Sequence, residues 1–201
     1  MKLRVNLCAM RLSALVLLAY FGNGTVTPAR AAEAEVLKVG EAAPPFVLKT
    51  MNAKLIGQNQ FVLKEHVGPE AKAVKKAVVL SFAASYCEPC RRELKELKAM
   101  KAELTQAGAE LAVVVIDTEA EGIAAMEKLT VEELALPFPV LADRFGVLAR
   151  RYHANALPMT VVIGSDGNVR YVASGFAEGA LDKLRGELGI KVEAKGPKLK
   201  K

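Results

Sequence analysis

The chain has 201 residues, 52% hydrophobic and 25% charged, with 15 Gly and 9 Pro. That balance excludes a disordered, collagenous or coiled-coil protein, and three cysteines are too few for a disulfide scaffold. The net charge of +6 sits at the ends: residues 1–31 and 191–201 each carry +4, which leaves 32–190 at −2. A slightly acidic body speaks against a nucleic-acid-binding fold.

The first residues read as an address. Lys2, Arg4 and Arg11 precede the apolar run Leu12–Phe21, and a polar stretch ends at Ala29-Arg30-Ala31. A basic start, a short apolar core and a small-x-small end form the pattern of a secretory signal peptide. The apolar run is half the ~20 residues that span a bilayer, so an uncleaved anchor is the weaker reading. Residues 1–31 are therefore expected to be a signal and 32–38 a short linker. Cys8 lies before the apolar run, where a lipoprotein cysteine would follow it. The mature chain then keeps only Cys87 and Cys90, in a compartment where disulfides persist. A loop this small stabilises a fold little, so the pair suits switching between dithiol and disulfide.

Short extended pieces are expected at Phe46–Lys49 and Phe61–Lys64. The nearly continuous apolar run Ala77–Phe82, with Ser81 its one polar residue, predicts a strand buried on both faces. Cys87–Ala107 has apolar residues at helical spacing and is stopped by Gly108. Leu111–Asp117 predicts a second buried strand, Glu119–Leu134 a helix, Pro139–Leu141 a short strand and Arg144–Tyr152 a helix. Met159–Gly164 and Asn168–Ala173 flank a hairpin turn at Ser165-Asp166-Gly167. Ala177–Leu188 predicts the closing helix. Strands alternating with helices predict an α/β domain over 39–190, a mixed, mostly parallel central sheet with helices on both faces. Lys191–Lys201 reads as a solvated tail, with attachment to an anionic surface as its functional alternative.

The chemistry lies in Ser85-Tyr86-Cys87-Glu88-Pro89-Cys90-Arg91-Arg92-Glu93. A cysteine at a helix N-terminus meets free N–H groups and the positive end of the helix dipole, which favour the nucleophilic thiolate. Cys90, one turn deeper, can resolve a mixed disulfide formed at Cys87. Pro89 falls in the first turn, where its missing N–H is harmless. A zinc site would need two more ligands, and His66 and His153 do not lie at ligand spacing from each other. Glu93 shares a helix side with Leu97 and Met100. A carboxylate on that buried flank would have a raised pKa and could exchange protons with the cysteines; the bland alternative is a surface glutamate. Pro158, ahead of a strand, reads either as a plain strand start or as a cis-proline.

Val78–Phe82 running into Cys87-Glu88-Pro89-Cys90, then Glu93, then Leu157-Pro158 ahead of Thr160-Val161-Val162-Ile163 and the Asp166-Gly167 turn, together resemble the thioredoxin superfamily. Within it they resemble the exported TlpA/ResA-like thiol-disulfide oxidoreductases, over about residues 39–190. The resemblance implies a thioredoxin-like three-layer sandwich with Cys87 attacking, Cys90 resolving, Pro158 cis beside the disulfide and Glu93 the active-site carboxylate. Tyr86, Glu88, Pro89 and Leu157 would surround the docking surface. It implies no cofactor beyond the dithiol and no metal. It also implies extracytoplasmic cysteine-containing partners such as apocytochrome c and a membrane thiol donor, with no nucleic acid. Two departures stand out: Tyr86 replaces the family's usual Trp, and Ser81 occupies the place of thioredoxin's buried acid, a role Glu93 could assume.

Three alternatives share the fold. A peroxiredoxin needs P-x-x-x-[TS]-x-x-C; here Ser85 is only two before Cys87 and no proline precedes it. A copper-delivery protein needs C-x-x-x-C with a nearby histidine, for which only His153 could serve. A binding or signalling domain could keep an inert C-x-x-C. Pro89 favours a reductant, and Glu88 beside Cys87 opposes a strongly oxidising, very acidic thiol.

Overall fold

The structure, a computed structural model, describes residues 37–72 and 74–191. The expected signal, most of the linker and nearly all of the Lys-rich tail lie outside them. A five-stranded sheet has the order β5-β4-β3-β6-β7, with a two-stranded β1-β2 piece at its side. The strands are β1 Val47–Lys49, β2 Gln60–Val62, β3 Ala77–Ala83, β4 Ala109–Val115, β5 Val140–Ala142, β6 Met159–Gly164 and β7 Val169–Ser174. β3, β4 and β5 are parallel, β6 runs antiparallel to β3, and β7 antiparallel to β6. The helices are α1 Ala53–Ile56, α2 Leu63–His66, α3 Glu88–Ala99, α4 Lys101–Gln106, α5 Ala120–Glu127, α6 Val147–Arg151 and α7 Ala180–Glu187.

Every residue of β3 is buried, as an apolar run covered on both sides requires. Strand alternation then splits the core in two. Val79 and Ala83 pack with Leu94, Leu97, Met100 and Leu104 under α3 and α4. Val78, Leu80 and Phe82 pack on the opposite face with Phe61, Leu148 and Tyr152. The mixed sheet with helices on both faces is the expected three-layer arrangement.

Several boundaries differ from expectation for local reasons. The Phe61–Lys64 piece is a strand only to Val62, since Leu63–His66 coil into α2. The long Cys87–Ala107 helix is divided at Met100 (φ −79°, ψ −4°), although the Met100 N–H still reaches the Glu96 carbonyl at 3.0 Å and Leu104 N–H reaches the Met100 carbonyl at 3.0 Å. Gly108 ends α4 with φ 75°. The Glu119–Leu134 helix widens into a π-helical turn over Lys128–Glu133. There the buried Thr130 hydroxyl donates back to the Met126 carbonyl at 2.7 Å, and Leu134 N–H bonds five residues back to Leu129. β4 begins two residues early because Ala109 pairs with Ala77. α6 and α7 each start three residues late, after Gly146 (φ 59°) and Gly179 (φ 78°).

Candidate active site

β3 delivers the chain through the Ala84–Tyr86 loop to Cys87, which is the N-cap of α3. Its Sγ accepts the Cys90 N–H at 3.2 Å, and Pro89 lies in the first turn. The helix start thus points a backbone donor at the first sulfur. Cys87 and Cys90 form a disulfide. Cys87 is 6% exposed and Cys90 1%, so the first cysteine is the more accessible of two recessed sulfurs.

The loop is anchored by a residue the sequence reading did not single out. Asp117, just past β4 and buried, accepts the Ser85 backbone N–H at 2.9 Å and its hydroxyl at 2.6 Å. Both bonds end on a carboxylate, which makes them stronger than neutral ones. They fix the backbone two residues before Cys87. Gly122 is needed beside Asp117, because any Cβ there would strike its carboxylate.

Glu93 is 2% exposed, on the buried side of α3. Its two oxygens accept the Ser81 hydroxyl at 2.8 Å and the Thr160 hydroxyl at 2.8 Å. Ser81 and Thr160 are register partners across β3 and β6, and both point to the α3 face. Burial pushes the Glu93 carboxyl above the ordinary carboxylate range; the Thr160 and Ser81 bonds pull it back, and the Glu96 charge pushes it further up. Desolvation dominates, so the buried-flank expectation for Glu93 holds and the surface reading falls. Thr160 was detectable: it is the one polar residue of Met159–Gly164, as Ser81 is of Ala77–Phe82.

The Leu157–Pro158 peptide is cis. Pro158 directly precedes β6, where Met159 pairs with Phe82 near the end of β3. Tyr86 is 76% exposed beside Cys87. Leu157 is half-buried and packs against both halves of the core. The Glu88 side chain is solvent-exposed and lies 3.8 Å from Arg91. Its charge is thereby screened and partly neutralised, which weakens the expected opposition to a Cys87 thiolate. Among the described residues no group of three His, Cys, Asp or Glu is placed to hold a metal ion.

A paired Cys87 and Cys90 at a helix start, a cis-proline ahead of the neighbouring strand and a thioredoxin-like sheet define a thiol-disulfide oxidoreductase. The AhpC/TSA family model matches residues 39–172, and the chain belongs to that family. It is 29% identical over 154 residues to the thiol-disulfide oxidoreductase ResA of Oceanobacillus iheyensis, covering 77% of this chain and 73% of that protein. Two solved structures show the same fold. StoA of Bacillus subtilis matches with a TM-score of 0.56 at 19% identity, covering 72% of this chain and 96% of that one. Peroxidoxin BcpB of Mycobacterium tuberculosis matches with a TM-score of 0.60 at 20% identity, covering 78% of this chain and 99% of that one.

Proposed function

We propose that the protein is exported and reduces disulfides in extracytoplasmic proteins, apocytochrome c among them, using Cys87 and Cys90 and no other cofactor. The observation that carries this reading is the pairing of an N-capping Cys87 with a deeper Cys90 one turn from a buried carboxylate. In the reduced protein the Cys87 thiolate attacks a substrate S–S bond, forms a mixed disulfide and releases one substrate thiolate. Cys90 then loses its proton, attacks Cys87 Sγ and releases the second substrate thiolate. The product is the Cys87–Cys90 disulfide; two electrons pass to the substrate, and its two thiolates take up two protons. Ionised Glu93 is the nearby base for the Cys90 proton. A membrane thiol donor returns the dithiol. The basic start and ten-residue apolar run at Lys2–Phe21 support export. Among the described residues no helix is long and apolar enough to cross a membrane.

The test is reduction of a cysteine-bridged apocytochrome c peptide by the reduced protein, with wild type, Cys87→Ser and Cys90→Ser compared. Full turnover only in wild type, with a stable peptide adduct only in Cys90→Ser, is expected. Peroxide consumption without peptide reduction would overturn the reading in favour of a peroxidase.

A further inference from the structure

One cavity of the domain is lined by neither cysteine. It is a groove of about 660 Å³ between β1 and the segment from Ala142 to Arg151. Its lining is apolar and exposed: Phe145 is 80% exposed, Val47 56% and Val147 48%. A lone phenylalanine at that exposure means little, but three such residues around one groove mark a contact surface. Four cations also line it, Lys49, Lys64, Arg144 and Arg151, against one carboxylate, Asp143. Asp143 is 2% exposed and accepts the Ala149 N–H at 2.8 Å, so its charge is directed inward. Arg151 is tied to the Pro45 carbonyl at 2.6 Å and Lys64 to Glu70 at 2.8 Å. Lys49 and Arg144 are then the cations placed to meet a ligand.

The walls offer backbone as well. Leu63 N–H bonds to the Phe46 carbonyl, and Thr50 N–H to Asn59. Antiparallel alternation therefore turns the Val47 peptide groups away from β2, toward the groove. β1 is pinned to β5 only farther along, at the Thr50–Leu141 bridge, where Met51 N–H reaches Val140 at 2.7 Å. An extended peptide can add to such an edge.

Neighbouring residues lead from the rim of the groove toward the redox loop. Gly146 lies against Thr118, whose methyl would be 3.7 Å from a Cβ placed there. Thr118 follows Asp117, which holds Ser85 two residues before Cys87. β3 and β5 are two strands apart and the Thr50–Leu141 bridge sets β1 beside β5, so the groove lies about 10–15 Å across the sheet from the end of β3, from which the Ala84–Tyr86 loop leads to Cys87.

Resting on the reductase reading above, we infer that this groove docks an extended, acidic and apolar segment of the partner protein, a few residues from the cysteine being reduced. The apolar side chain covers Phe145 and Val47, and the carboxylates meet Lys49 and Arg144. The site would select substrates by sequence near the disulfide, while the cysteines perform the exchange.

The probe is a pair of peptide disulfides whose cysteine carries Leu-Glu-Glu about four residues away on both sides, or Leu-Lys-Lys in the same places. Second-order rate constants for their reduction are compared in wild type, Phe145→Ala and Arg144→Glu, with dithiobis(nitrobenzoate) as a small disulfide that needs no groove. Wild type should reduce the acidic peptide about tenfold faster than the basic one, the scale of two exposed ion pairs. High salt and Arg144→Glu should each erode that preference, Phe145→Ala should slow both peptides alike, and the small disulfide should be reduced equally by all three proteins. Equal rates for the two peptides, a preference that survives Arg144→Glu, or peptide rates unmoved by Phe145→Ala would overturn the docking site. Laurate binding that both substitutions abolish, without peptide preference, would reassign the groove to a small amphiphilic anion. A dimer in sedimentation that Phe145→Ala dissociates would reassign it to a second copy. Failure of wild type to reduce even the small disulfide would overturn the reductase reading itself, and the docking inference with it.

Discussion

Replacing Glu93 by Gln keeps the shape of a buried side chain and removes its charge, so it isolates what that charge does to the dithiol. Glu93 follows Cys90 by three residues on one helix, which places their Cβ atoms about 5–6 Å apart. At about 6 Å and an effective dielectric constant near 20, a unit charge on each costs about 2–3 kcal/mol. That is worth about two pH units in the ionisation of the neighbouring thiol. In wild type the thiol therefore ionises against Glu93 once Glu93 has lost its proton; in Glu93→Gln it does not. The thiolate absorbance of the reduced variant should rise about one to two pH units earlier than in wild type, with the circular dichroism of the two proteins superimposable. The hydroxyl partners give an independent handle. Ser81 and Thr160 both stabilise the charged form of Glu93, so Ser81→Ala and Thr160→Val should each move the Glu93-linked inflection to higher pH. A hydrogen bond to a charged group is worth about 1.5–3 kcal/mol, or about one to two pH units. Superimposable thiol titrations for wild type and Glu93→Gln would refute the coupling, and an unmoved inflection in both hydroxyl variants would refute the role of the Ser81–Thr160 pair.

The raised Glu93 pKa also predicts a stability trend. A carboxyl raised above its unfolded value of about 4.3 supports the fold fully below that pH and loses its contribution as pH rises through the folded value. Denaturant titrations should accordingly show Glu93→Gln gaining on wild type as pH rises from about 4 upward, and parallel curves would contradict the sign. Cys90→Ser should accumulate mixed disulfides with partner proteins on non-reducing gels while Cys87→Ser accumulates few; equal trapping would reverse the roles of the two sulfurs. The Cys87–Cys90 couple should titrate nearer thioredoxin's −270 mV, about, than the roughly −120 mV of a strong oxidant, and a potential above that of protein disulfide isomerase would make the protein an oxidase or isomerase. Asp117→Ala leaves the Ser85 N–H and hydroxyl without their acceptor and should lower stability by about 1–3 kcal/mol in urea unfolding; a loss within error would mean water replaces the carboxylate.

The central strands and α3 were legible because burial on both faces leaves nearly unbroken apolar runs, and an amphipathic helix repeats its leucines at a fixed spacing. The boundaries that shifted depend on partners distant in sequence. Ala109 is a strand residue because Ala77 lies beside it, and Lys128–Glu133 widen because the Thr130 hydroxyl takes the Met126 carbonyl. Asn52 is similar: its amide donates to the Leu136 and Phe138 carbonyls at 2.9 Å each and accepts Val140 N–H at 3.1 Å, tying the loop after β1 to the approach of β5. Nothing near Asn52 in the sequence announces those partners. The groove beside β1 was hidden for the same reason, since its two walls are separated by about a hundred residues.

Glu93 shows how the local and distant signals combine. Spacing alone put Glu93 on the buried flank of α3, but spacing does not say whether a buried charge is tolerated. Tolerance comes from two hydroxyls, one in each of two strands that are 79 residues apart at Ser81 and Thr160 and yet pair directly. Each is the single polar residue in an otherwise apolar run, and a lone hydroxyl inside such a run needs a partner once buried. Two strands with that defect, adjacent in a sheet, and a helix above them carrying an unpaired carboxylate satisfy one another. An acid kept in this way remains able to ionise, because its hydrogen bonds favour the charged form, yet it does so reluctantly, because burial opposes it. On the function proposed above, a group balanced between those two effects takes a proton from one thiol and gives it up again. A fully solvated glutamate, ionised throughout the neutral range, would be a poor proton store, and a fully apolar pocket would hold it permanently neutral.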